Sequence, residues 1–333
     1  MLDLYTAVAP AHAVPVDPQS AGLPADVVWI DLLKPSAEER AFVEHATGLR
    51  VPGIERVSEI ESSSRLATEN GALYLNAPMI YRGDTKEPLV TPVGFVVSDK
   101  LVITVRFEDV GTFAAFRDKV TKAPPTGHYA GVDVFVGILE VAIDRMADLL
   151  ERLAHELDIV SHRIFRAEAD RSLGNRHRPA RESASLRQLL RRVGAAGDLL
   201  SKLRDSLLGM ARMVPYANNG AAAWLGDPLK RRVGILGTDI GSLSDHANFM
   251  TNKVQLLLDA TLGLINIEQN NIIKVLTIVS VMGIPPTLIA SMYGMNFKGM
   301  PELTWSFGYY YGLAVIFLSA VLPLLWFKLR GWI

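Results

Sequence analysis

The side chains best suited to ion chemistry lie in one short connection near the C-terminal end. It reads Gly294-Met295-Asn296 and, a few residues later, Met300-Pro301-Glu302-Leu303. Asn296 offers a neutral amide oxygen, and Glu302 offers a carboxylate that would attract cations. Lys298 carries the opposite charge and would oppose their approach, although salt screens such repulsion beyond about 8–10 Å.

This connection lies between two long apolar stretches, residues 275–293 and 307–327. From 275 to 327 the only charged side chains are Lys298 and Glu302. A hydrocarbon core about 30 Å thick requires roughly 20 apolar residues in a helix, and both stretches are close to that length. The sequence therefore predicts a membrane hairpin with the connection at its turn.

One face of the first predicted span carries polar side chains at alternating three- and four-residue steps, which keep residues on one side of a helix. The face consists of Asn270, Ile273, Thr277, Ser280, Ile284, Thr287 and Ser291. Such a stripe suits a pore, and because two helices cannot enclose a water-filled path, a pore would need several copies of the chain. The alternative is that the small hydroxyl residues only allow close helix packing.

The same residues resemble the CorA family of divalent-cation channels. The likeness includes Gly-Met-Asn at the end of a first span, the Met-Pro-Glu-Leu loop, and Trp305-Ser306-Phe307-Gly308-Tyr309 beyond it. Upstream it extends through Phe249-Met250, Val254-Gln255 and the stretch from Gly263 to Asn270. The close likeness covers the chain from about Asn248 to its end.

The resemblance implies a pore at the centre of a homo-oligomer, a pentamer, in which each subunit contributes its first span. Gly294, Met295 and Asn296 would form the selectivity filter, and a ring of Asn296 amides would accept hydrogen bonds from the waters of Mg²⁺. Asn270 would form an inner polar ring and Thr287 an intermediate one. Leu276 and Ile284 would form an apolar constriction that gates by dewetting. The expected function is passive Mg²⁺ uptake, with Co²⁺ or Ni²⁺ as further ions.

The resemblance also implies that cytoplasmic Mg²⁺ binds between subunits and closes the pore. Asp239, Asp245 and Asp259 are the candidate ligands on the stalk, although each could equally be a solvated surface charge. Mg²⁺ is thus expected as the transported and regulatory ion, and no other cofactor is expected.

Two rival functions remain open at this stage. The first is a Zn²⁺ transporter coupled to protons, as in the related ZntB proteins. Two departures from the family pattern keep the Zn²⁺ transporter open as an alternative: Lys298 and the arginine-rich stretch from Arg163 to Arg192. Other members of the family tend to be acidic at both places. Glu151, His155, Asp158 and His162 could share one helix face and suit Zn²⁺, although an exposed helix produces this spacing easily. The second rival is an oligomeric membrane scaffold that conducts nothing.

Composition excludes several other classes. The 333 residues include 34 basic and 35 acidic side chains, so there is no basic excess that would indicate a nucleic-acid partner. The chain has no cysteine, which excludes disulfides and thiolate metal sites. No catalytic constellation indicates an enzyme. No signal peptide is expected at the N-terminus. Lys274, Lys328 and Arg330 flank the spans and place both termini in the cytoplasm, as in a multi-pass protein of a bacterial inner membrane.

The elements that must position these residues follow from the pattern of apolar residues. Strands are predicted at 27–32, 72–81, 93–98 and 101–106, with a turn at Asp99-Lys100, and Ser36 and Glu39 have capping-box spacing. Long helices are predicted at 132–167, at 180–214 and from about 227 into the membrane. The expected parts are an α/β cytoplasmic domain at 1–125, a long-helix stalk region at 130–270, a pore-lining span at 271–293, an external loop at 294–306, a second span at 307–327 and a basic tail at 328–333. In the oligomer these parts would build a funnel.

Overall fold

A computed structural model describes residues 1–7, 13–15, 22–59, 65–83, 88–123, 129–172, 179–295, 299–301 and 305–332, with side chains for all of these except 14–15, 166–172 and 179–183. The chain forms two compact units. One comprises Met1–Ala167 and Arg191–Leu257, and the other comprises Glu168–Leu190 and Leu258–Ile333. The predicted boundary between residues 125 and 130 falls mainly on 124–128, which lie outside the described residues.

The first unit contains a seven-stranded sheet in the order β2-β1-β3-β7-β6-β5-β4. The strands are β1 Leu2–Thr6, β2 Val14–Pro15, β3 Val27–Leu33, β4 Leu66–Glu69, β5 Ala72–Tyr81, β6 Leu89–Val97 and β7 Val102–Arg106. β3 and β7 pair in parallel and the other neighbouring strands pair antiparallel. The predicted strands and the turn at Asp99-Lys100 are confirmed, since Val97 pairs with Val102 and the Ser98 amide donates to the Leu101 carbonyl at 3.0 Å.

Three shorter helices accompany the sheet: α1 Ala37–Thr47, α2 Ile54–Val57 and α3 Gly111–Lys122. The capping box predicted at the start of α1 is present. The Glu39 amide donates to Ser36 Oγ at 3.1 Å, and the Ser36 amide donates to Glu39 Oε2 at 2.8 Å. These two bonds satisfy amide groups that the first turn of a helix cannot pair internally. The helix ends at Thr47 and is capped by Gly48, whose φ of 69° is a conformation that glycine adopts without a steric penalty.

The described residues also form four long helices: α4 Gly131–Ser172, α5 Pro179–Gly220, α6 Asp227–Tyr293 and α7 Gly308–Leu329. The prediction that the second long helix ends near 214 was wrong, because α5 continues through Pro215. Ala217 and Ala221 are buried beyond the proline, so packing favours continuation of the helix despite the lost backbone donor. The helix α7 extends to Leu329 and so includes Lys328, the first residue of the predicted basic tail.

A buried ion pair joins the two parallel strands at the centre of the sheet. Arg106 Nη2 donates to Asp31 Oδ2 at 2.8 Å, and the two side chains are only 3% and 1% exposed. Thr104 Oγ1 donates to Asp31 Oδ1 at 2.8 Å and accepts a hydrogen bond from Trp29 Nε1 at 2.9 Å. Burial alone would lower the pKa of Arg106, but the hydrogen bonds and charges of Asp31 and Asp109 outweigh it and raise that pKa. The buried charges of Asp31 and Arg106 are therefore balanced by each other and by neighbouring hydrogen bonds where the two strands meet.

We expect Asp31→Ala to destabilise the first unit strongly, because it leaves the Arg106 guanidinium buried without its main counter-charge. Loss of one partner of a buried pair typically costs about 3–5 kcal/mol. The matched control is Asp109→Ala, which removes a second carboxylate from the same guanidinium (3.0 Å) but one that is 81% exposed. Thermal unfolding of the full-length protein in detergent measures both variants. Equal losses for the two would contradict the assigned role of the buried pair.

Candidate functional site

The first two residues of the Gly-Met-Asn motif directly follow the long helix α6, which ends at Tyr293. The Gly294 amide donates to the Ala290 carbonyl at 3.0 Å, and the Met295 amide donates to the Met292 carbonyl at 3.2 Å. A Cβ at position 294 would lie 3.4 Å from the carbonyl oxygens of Ala290 and Ser291, which is an ordinary van der Waals contact. The motif thus begins with two amides that are hydrogen-bonded to the last turn of α6.

Asn296 follows directly in sequence and lies outside the described residues, as do Lys298 and Glu302. The filter role of Asn296 and the opposing effects of Glu302 and Lys298 on cations therefore stay predictions. The described part of the motif shows that α6 ends at Tyr293, three residues before Asn296.

The two helices on either side of the motif, α6 and α7, are each long and apolar enough to cross a membrane. The most apolar stretch of α6 has no buried residue. Leu276 and Ile284, predicted as the apolar constriction, are both 65% exposed and lie eight residues, or about 12 Å, apart along the helix. In the α7 span, Phe327 is the only described residue that is buried. The apolar surface of both spans therefore needs cover from lipid or from other copies of the chain.

The threonines of the polar stripe donate their hydroxyl protons within the helix. Thr277 Oγ1 donates to the Ile273 carbonyl at 2.8 Å, and Thr287 Oγ1 donates to the Gly283 carbonyl at 2.7 Å. A hydroxyl that donates a hydrogen bond to the backbone can still accept hydrogen bonds through its oxygen lone pairs. These side chains can therefore accept hydrogen bonds from water or from the water shell of a cation. Of the other stripe residues, Asn270 and Ser291 are exposed and Ser280 is half-buried.

The helix α6 continues without interruption through Pro285 and Pro286. Each proline lacks an amide proton, so the carbonyls of Val281 and Met282 lose their usual intrahelical donors. The hydroxyl of Thr287 supplies an additional bond in the same turn, to the Gly283 carbonyl. The turn that contains Ile284 therefore has fewer backbone hydrogen bonds than an ordinary helical turn, with a side chain as partial compensation.

Aromatic and basic side chains join the two spans at the end opposite to the motif. The Lys274 ammonium lies 6.0 Å from the centre of the Trp332 ring, and Trp332 stacks on Phe327 with 5.3 Å between ring centres. The Arg330 guanidinium lies 5.5 Å from the Trp326 ring. Because Lys274 begins one span and Trp332 follows the other, the hairpin is antiparallel. Lys274 and Arg330 therefore lie at the same end of the hairpin.

The three aspartates predicted to sense Mg²⁺ lie on α6 and are exposed. Asp239 lies near other carboxylates of the first unit. Burial raises the pKa of Asp144, on α4, and negative charges raise it further against the opposing effect of Lys119. Those negative charges belong to Glu140, Asp148 and Asp239. Within the described residues, no group of three or more histidine, cysteine, aspartate or glutamate side chains is arranged to hold a metal ion in a single chain.

The histidine-containing set on α4 is not gathered as a zinc site. Asp158 forms an ion pair with Lys253 of α6, which lowers the pKa of the carboxyl through its hydrogen bond and charge. All four residues of this set are described, namely Glu151, His155, Asp158 and His162. No three of them are arranged to hold a metal ion. An ammonium group at Asp158 would compete directly with a bound cation.

The sequence did not reveal an ion pair that ties the start of α6 to α4. Arg232 donates to both oxygens of Glu140, with Nε to Oε1 at 2.7 Å and Nη2 to Oε2 at 2.9 Å. Lys119 Nζ lies 3.6 Å from Glu140 Oε2. Burial would raise the pKa of Glu140, but the hydrogen bond and charge of Arg232, aided by Lys119, lower it. The partners are 92 residues apart, which no local pattern could have indicated.

Known proteins resemble this chain along nearly its whole length. The family described as CorA-like Mg2+ transporter protein matches residues 24–329. The magnesium transport protein CorA of Haemophilus ducreyi is 30% identical over 323 residues, which cover 97% of each chain. The complete structure of the CorA magnesium transporter from Methanocaldococcus jannaschii superposes with a TM-score of 0.72 at 18% identity, and covers 100% of this chain and 98% of that one. The ZntB cytoplasmic domain from Vibrio parahaemolyticus superposes with a TM-score of 0.55 at 11% identity over 79% of this chain and 97% of that one.

We expect Arg232→Gln to destabilise the first unit by about 1.5–3 kcal/mol near neutral pH, the range for hydrogen bonds to charged groups. The pKa of Glu140 is lowered from 4.5, so the contribution of the pair is fully present above about pH 4.5. It is lost as the pH falls through the lowered pKa of the folded protein. Unfolding curves of the wild type and the variant should therefore converge in acid.

The matched control is Arg231→Gln, which removes the same charge from the neighbouring, exposed position. A comparable loss of stability for the control would contradict the assignment. A difference between wild type and Arg232→Gln that stays constant through the acid range would also contradict it.

Proposed function

This chain belongs to the CorA family of Mg²⁺ transporters, and on that premise we propose that it is a channel for passive Mg²⁺ uptake. The observation that carries the proposal is the single helix α6, which runs from Asp227 to Tyr293 and ends at the Gly-Met-Asn motif. Its span carries polar hydrogen-bond acceptors and the two residues of the predicted apolar constriction, Leu276 and Ile284. No residue in its most apolar stretch is buried by the rest of the chain. The inward movement of a divalent cation is favoured by about 4.6 kcal/mol of electrical free energy per 100 mV of membrane potential. The membrane potential can therefore drive uptake.

The conducting form is a homo-oligomer, and we propose the pentamer that the family resemblance implies. One hairpin cannot enclose a water-filled path, because its two helices would expose the polar stripe to lipid. Packing the α6 spans around a central axis covers that stripe and leaves the apolar surface of α7 for lipid. The partners of the chain are then its own copies, divalent cations and the bilayer.

In that assembly Gly294, Met295 and Asn296 form the filter. The end of α6 at Tyr293 supports this role, because the helix brings the chain to within three residues of Asn296. Mg²⁺ gives up its water reluctantly, so neutral amide oxygens that bind its water shell can select the ion without trapping it. Glu302 attracts cations to the mouth and Lys298 opposes them.

Below the filter, the polar stripe and the apolar pair act in sequence. Ser291, Thr287, Ser280 and Thr277 offer hydroxyl oxygens along the path, and Asn270 offers an amide at the inner end. Leu276 and Ile284 form rings that a hydrated dication cannot cross while the rings are narrow and dry. The weakened backbone bonding at Pro285-Pro286, beside Ile284, supports a gate at this level.

Cytoplasmic Mg²⁺ regulates this gate in our proposal, with Asp239, Asp245 and Asp259 as ligands. Asp239 has the most support, because its charge is among those that raise the pKa of Asp144 and a divalent cation would relieve such repulsion. Since these aspartates and the pore residues share one helix, a displacement of α6 by bound ions could reach the constriction directly.

The orientation we propose places both termini in the cytoplasm and the motif outside, in a bacterial inner membrane. Lys274, Lys328 and Arg330 lie at the same end of the hairpin, and basic residues favour the cytoplasmic side. The alternative of a proton-coupled Zn²⁺ transporter is favoured by one observation, the basic Lys298 beside the filter. For the channel we propose Co²⁺ and Ni²⁺ as further conducted ions.

We expect Asn296→Ala to leave the oligomer intact and to reduce Mg²⁺ flux to the level of protein-free liposomes, because the filter would lose its acceptor ring. Flux is measured with a fluorescent Mg²⁺ indicator inside the liposomes, and oligomer size by light scattering. The control is Asn248→Ala, which removes an exposed amide from α6 outside the membrane. Undiminished flux through Asn296→Ala would remove the filter assignment.

We expect Lys298→Glu to speed Mg²⁺ uptake at low ionic strength and to lose this advantage at high salt. Reversing a charge at the mouth changes the local cation concentration, and the effect is screened over about 8–10 Å at physiological salt. Lys298→Gln should give an intermediate rate. Identical rates for wild type and both variants would show that Lys298 does not face the ion path.

A further inference from the structure

The last turn of α7 ends in a complete Schellman motif. Gly331 has a φ of 70°, and its amide donates to the Lys328 carbonyl at 3.1 Å. The Trp332 amide donates back to the Phe327 carbonyl at 3.0 Å, and the rings of these two residues stack. Two such backbone bonds and one apolar contact across the turn characterise the motif. The chain after α7 is therefore folded back onto the helix, and this fold holds Trp332 in place.

Two basic side chains lie over indole rings at this end of the hairpin. The Lys274 ammonium is 6.0 Å from the centre of the Trp332 ring, and the Arg330 guanidinium is 5.5 Å from that of Trp326. Phe327 is only 4% exposed and contacts both indoles, with 5.3 Å between the ring centres in each case. We term Lys274, Trp326, Phe327, Arg330 and Trp332 the C-terminal cluster.

The C-terminal cluster keeps its positive charge. A cation over a ring is attracted to the ring but not neutralised, because the ring carries no net charge. Within the described part of the chain, neither Lys274 nor Arg330 forms an ion pair with a carboxylate. Both side chains are exposed, and the rings of Trp326 and Trp332 are about half exposed. The cluster therefore presents two positive charges beside two partly exposed indoles.

The cluster lies at the level of one membrane surface. Lys274 directly precedes the first apolar stretch, and Phe327 ends the second. Trp326 follows the exposed Tyr309 by 17 residues, which is about 26 Å along α7. The hydrocarbon core is about 30 Å thick, so these two aromatic residues lie near its opposite surfaces. Tryptophan is enriched at this depth because its ring is apolar while its N–H group needs a polar partner.

The chemistry of the cluster favours an anionic headgroup over a zwitterionic one. Ammonium and guanidinium groups donate charge-assisted hydrogen bonds to phosphate oxygens, and a guanidinium can donate two in parallel. Trp332 already contacts Lys274 and Phe327, so it offers no empty aromatic cage to the choline group of a zwitterionic lipid. Basic sites between membrane helices on the cytoplasmic side are typical binding sites for anionic headgroups.

We propose that the C-terminal cluster binds the phosphate group of an anionic phospholipid in the cytoplasmic leaflet. Lys274 and Arg330 supply the charge, and Trp326 and Trp332 hold these side chains at the depth of the headgroups. Because Lys274 belongs to α6 and the other members belong to α7 or follow it, one bound lipid contacts both spans. The assignment to the cytoplasmic leaflet rests on the proposed orientation. The binding itself does not depend on which ion the protein conducts.

Tryptophan fluorescence of the full-length protein tests the proposal, because two tryptophans belong to the cluster. The protein is placed in phosphatidylcholine nanodiscs that contain a series of fractions of one lipid with brominated chains, which quench nearby indoles. The brominated lipid is either phosphatidylglycerol or phosphatidylcholine. We expect phosphatidylglycerol to quench at lower fractions, with a preference of at least about fivefold, the gain for one basic residue at an anionic surface.

The other three tryptophans provide the background and an internal control. Trp29 is fully buried in the sheet, and Trp224 belongs to the first unit. Trp305 precedes α7 at its opposite end. The double variant Trp326→Phe with Trp332→Phe leaves Trp305 as the tryptophan next to the spans, and we expect equal quenching by the two brominated lipids. A preference of unchanged size in this variant would place the lipid elsewhere and overturn the proposal.

A charge variant tests which residues hold the lipid. Lys274→Gln with Arg330→Gln should remove the preference while both indoles of the cluster remain. The matched variant, Arg204→Gln with Arg212→Gln, removes two exposed arginines from α5 and should keep it. Equal quenching of the wild type by the two lipids would overturn the proposal. A preference that survives the first variant, or that is lost equally in the matched one, would overturn it too.

Inorganic phosphate distinguishes a lipid from a soluble anion. A fluorescence change on adding phosphate to phosphatidylcholine discs, without any preference for phosphatidylglycerol, would assign the cluster to a soluble anion and overturn lipid binding. Both faces of a nanodisc carry the same lipids, so the result does not depend on the orientation of the protein. Because no readout involves ion flux, failure here leaves the channel proposal standing.

Discussion

The organising constraint of this molecule is that a membrane helix with a polar face cannot expose that face to lipid. In α6 the stripe from Asn270 to Ser291 is interleaved with Leu276 and Ile284, and the most apolar stretch of the helix is not buried within the chain. Lipid can cover the apolar surface, but only water or other copies of the chain can satisfy the polar surface. An oligomer with water along its axis meets both requirements, and membership of the CorA family is consistent with it. The proposed filter, constriction and inner ring are those that the family resemblance implies for such an oligomer.

The soluble part gives the same helix a fixed starting point. Arg232, near the beginning of α6, forms a two-point hydrogen-bonded pair with Glu140 of α4. The buried pair of Asp31 and Arg106 joins the parallel strands of the sheet in the same unit. Asp239 follows Arg232 by about two helical turns and lies near Asp144. A change in the charge around Asp239 would therefore act on a helix that is anchored at its start and that ends at the Gly-Met-Asn motif.

The features that the sequence revealed are those with local patterns. Apolar length marked both spans, alternation marked the strands, and the spacing of Ser36 and Glu39 marked the start of α1, all confirmed by the structure. The Gly-Met-Asn motif identified the family correctly. The end of α5 was misjudged, because Pro215 is a helix breaker locally and packing of Ala217 and Ala221 overrides it. The pairs Asp31–Arg106 and Glu140–Arg232 could not be predicted, since their partners are 75 and 92 residues apart. Asn296, at the centre of the proposed site, lies outside the described residues, so its role stays a prediction.

Ion flux into liposomes that contain the purified protein tests the central claim most directly. The measurement compares Mg²⁺ with Zn²⁺, under an imposed membrane potential and with or without a pH gradient. The channel account predicts Mg²⁺ uptake that follows the potential and is indifferent to the pH gradient. Zn²⁺ uptake that follows the pH gradient would contradict it and would favour the proton-coupled alternative. Absence of flux for both ions would leave an oligomeric membrane scaffold.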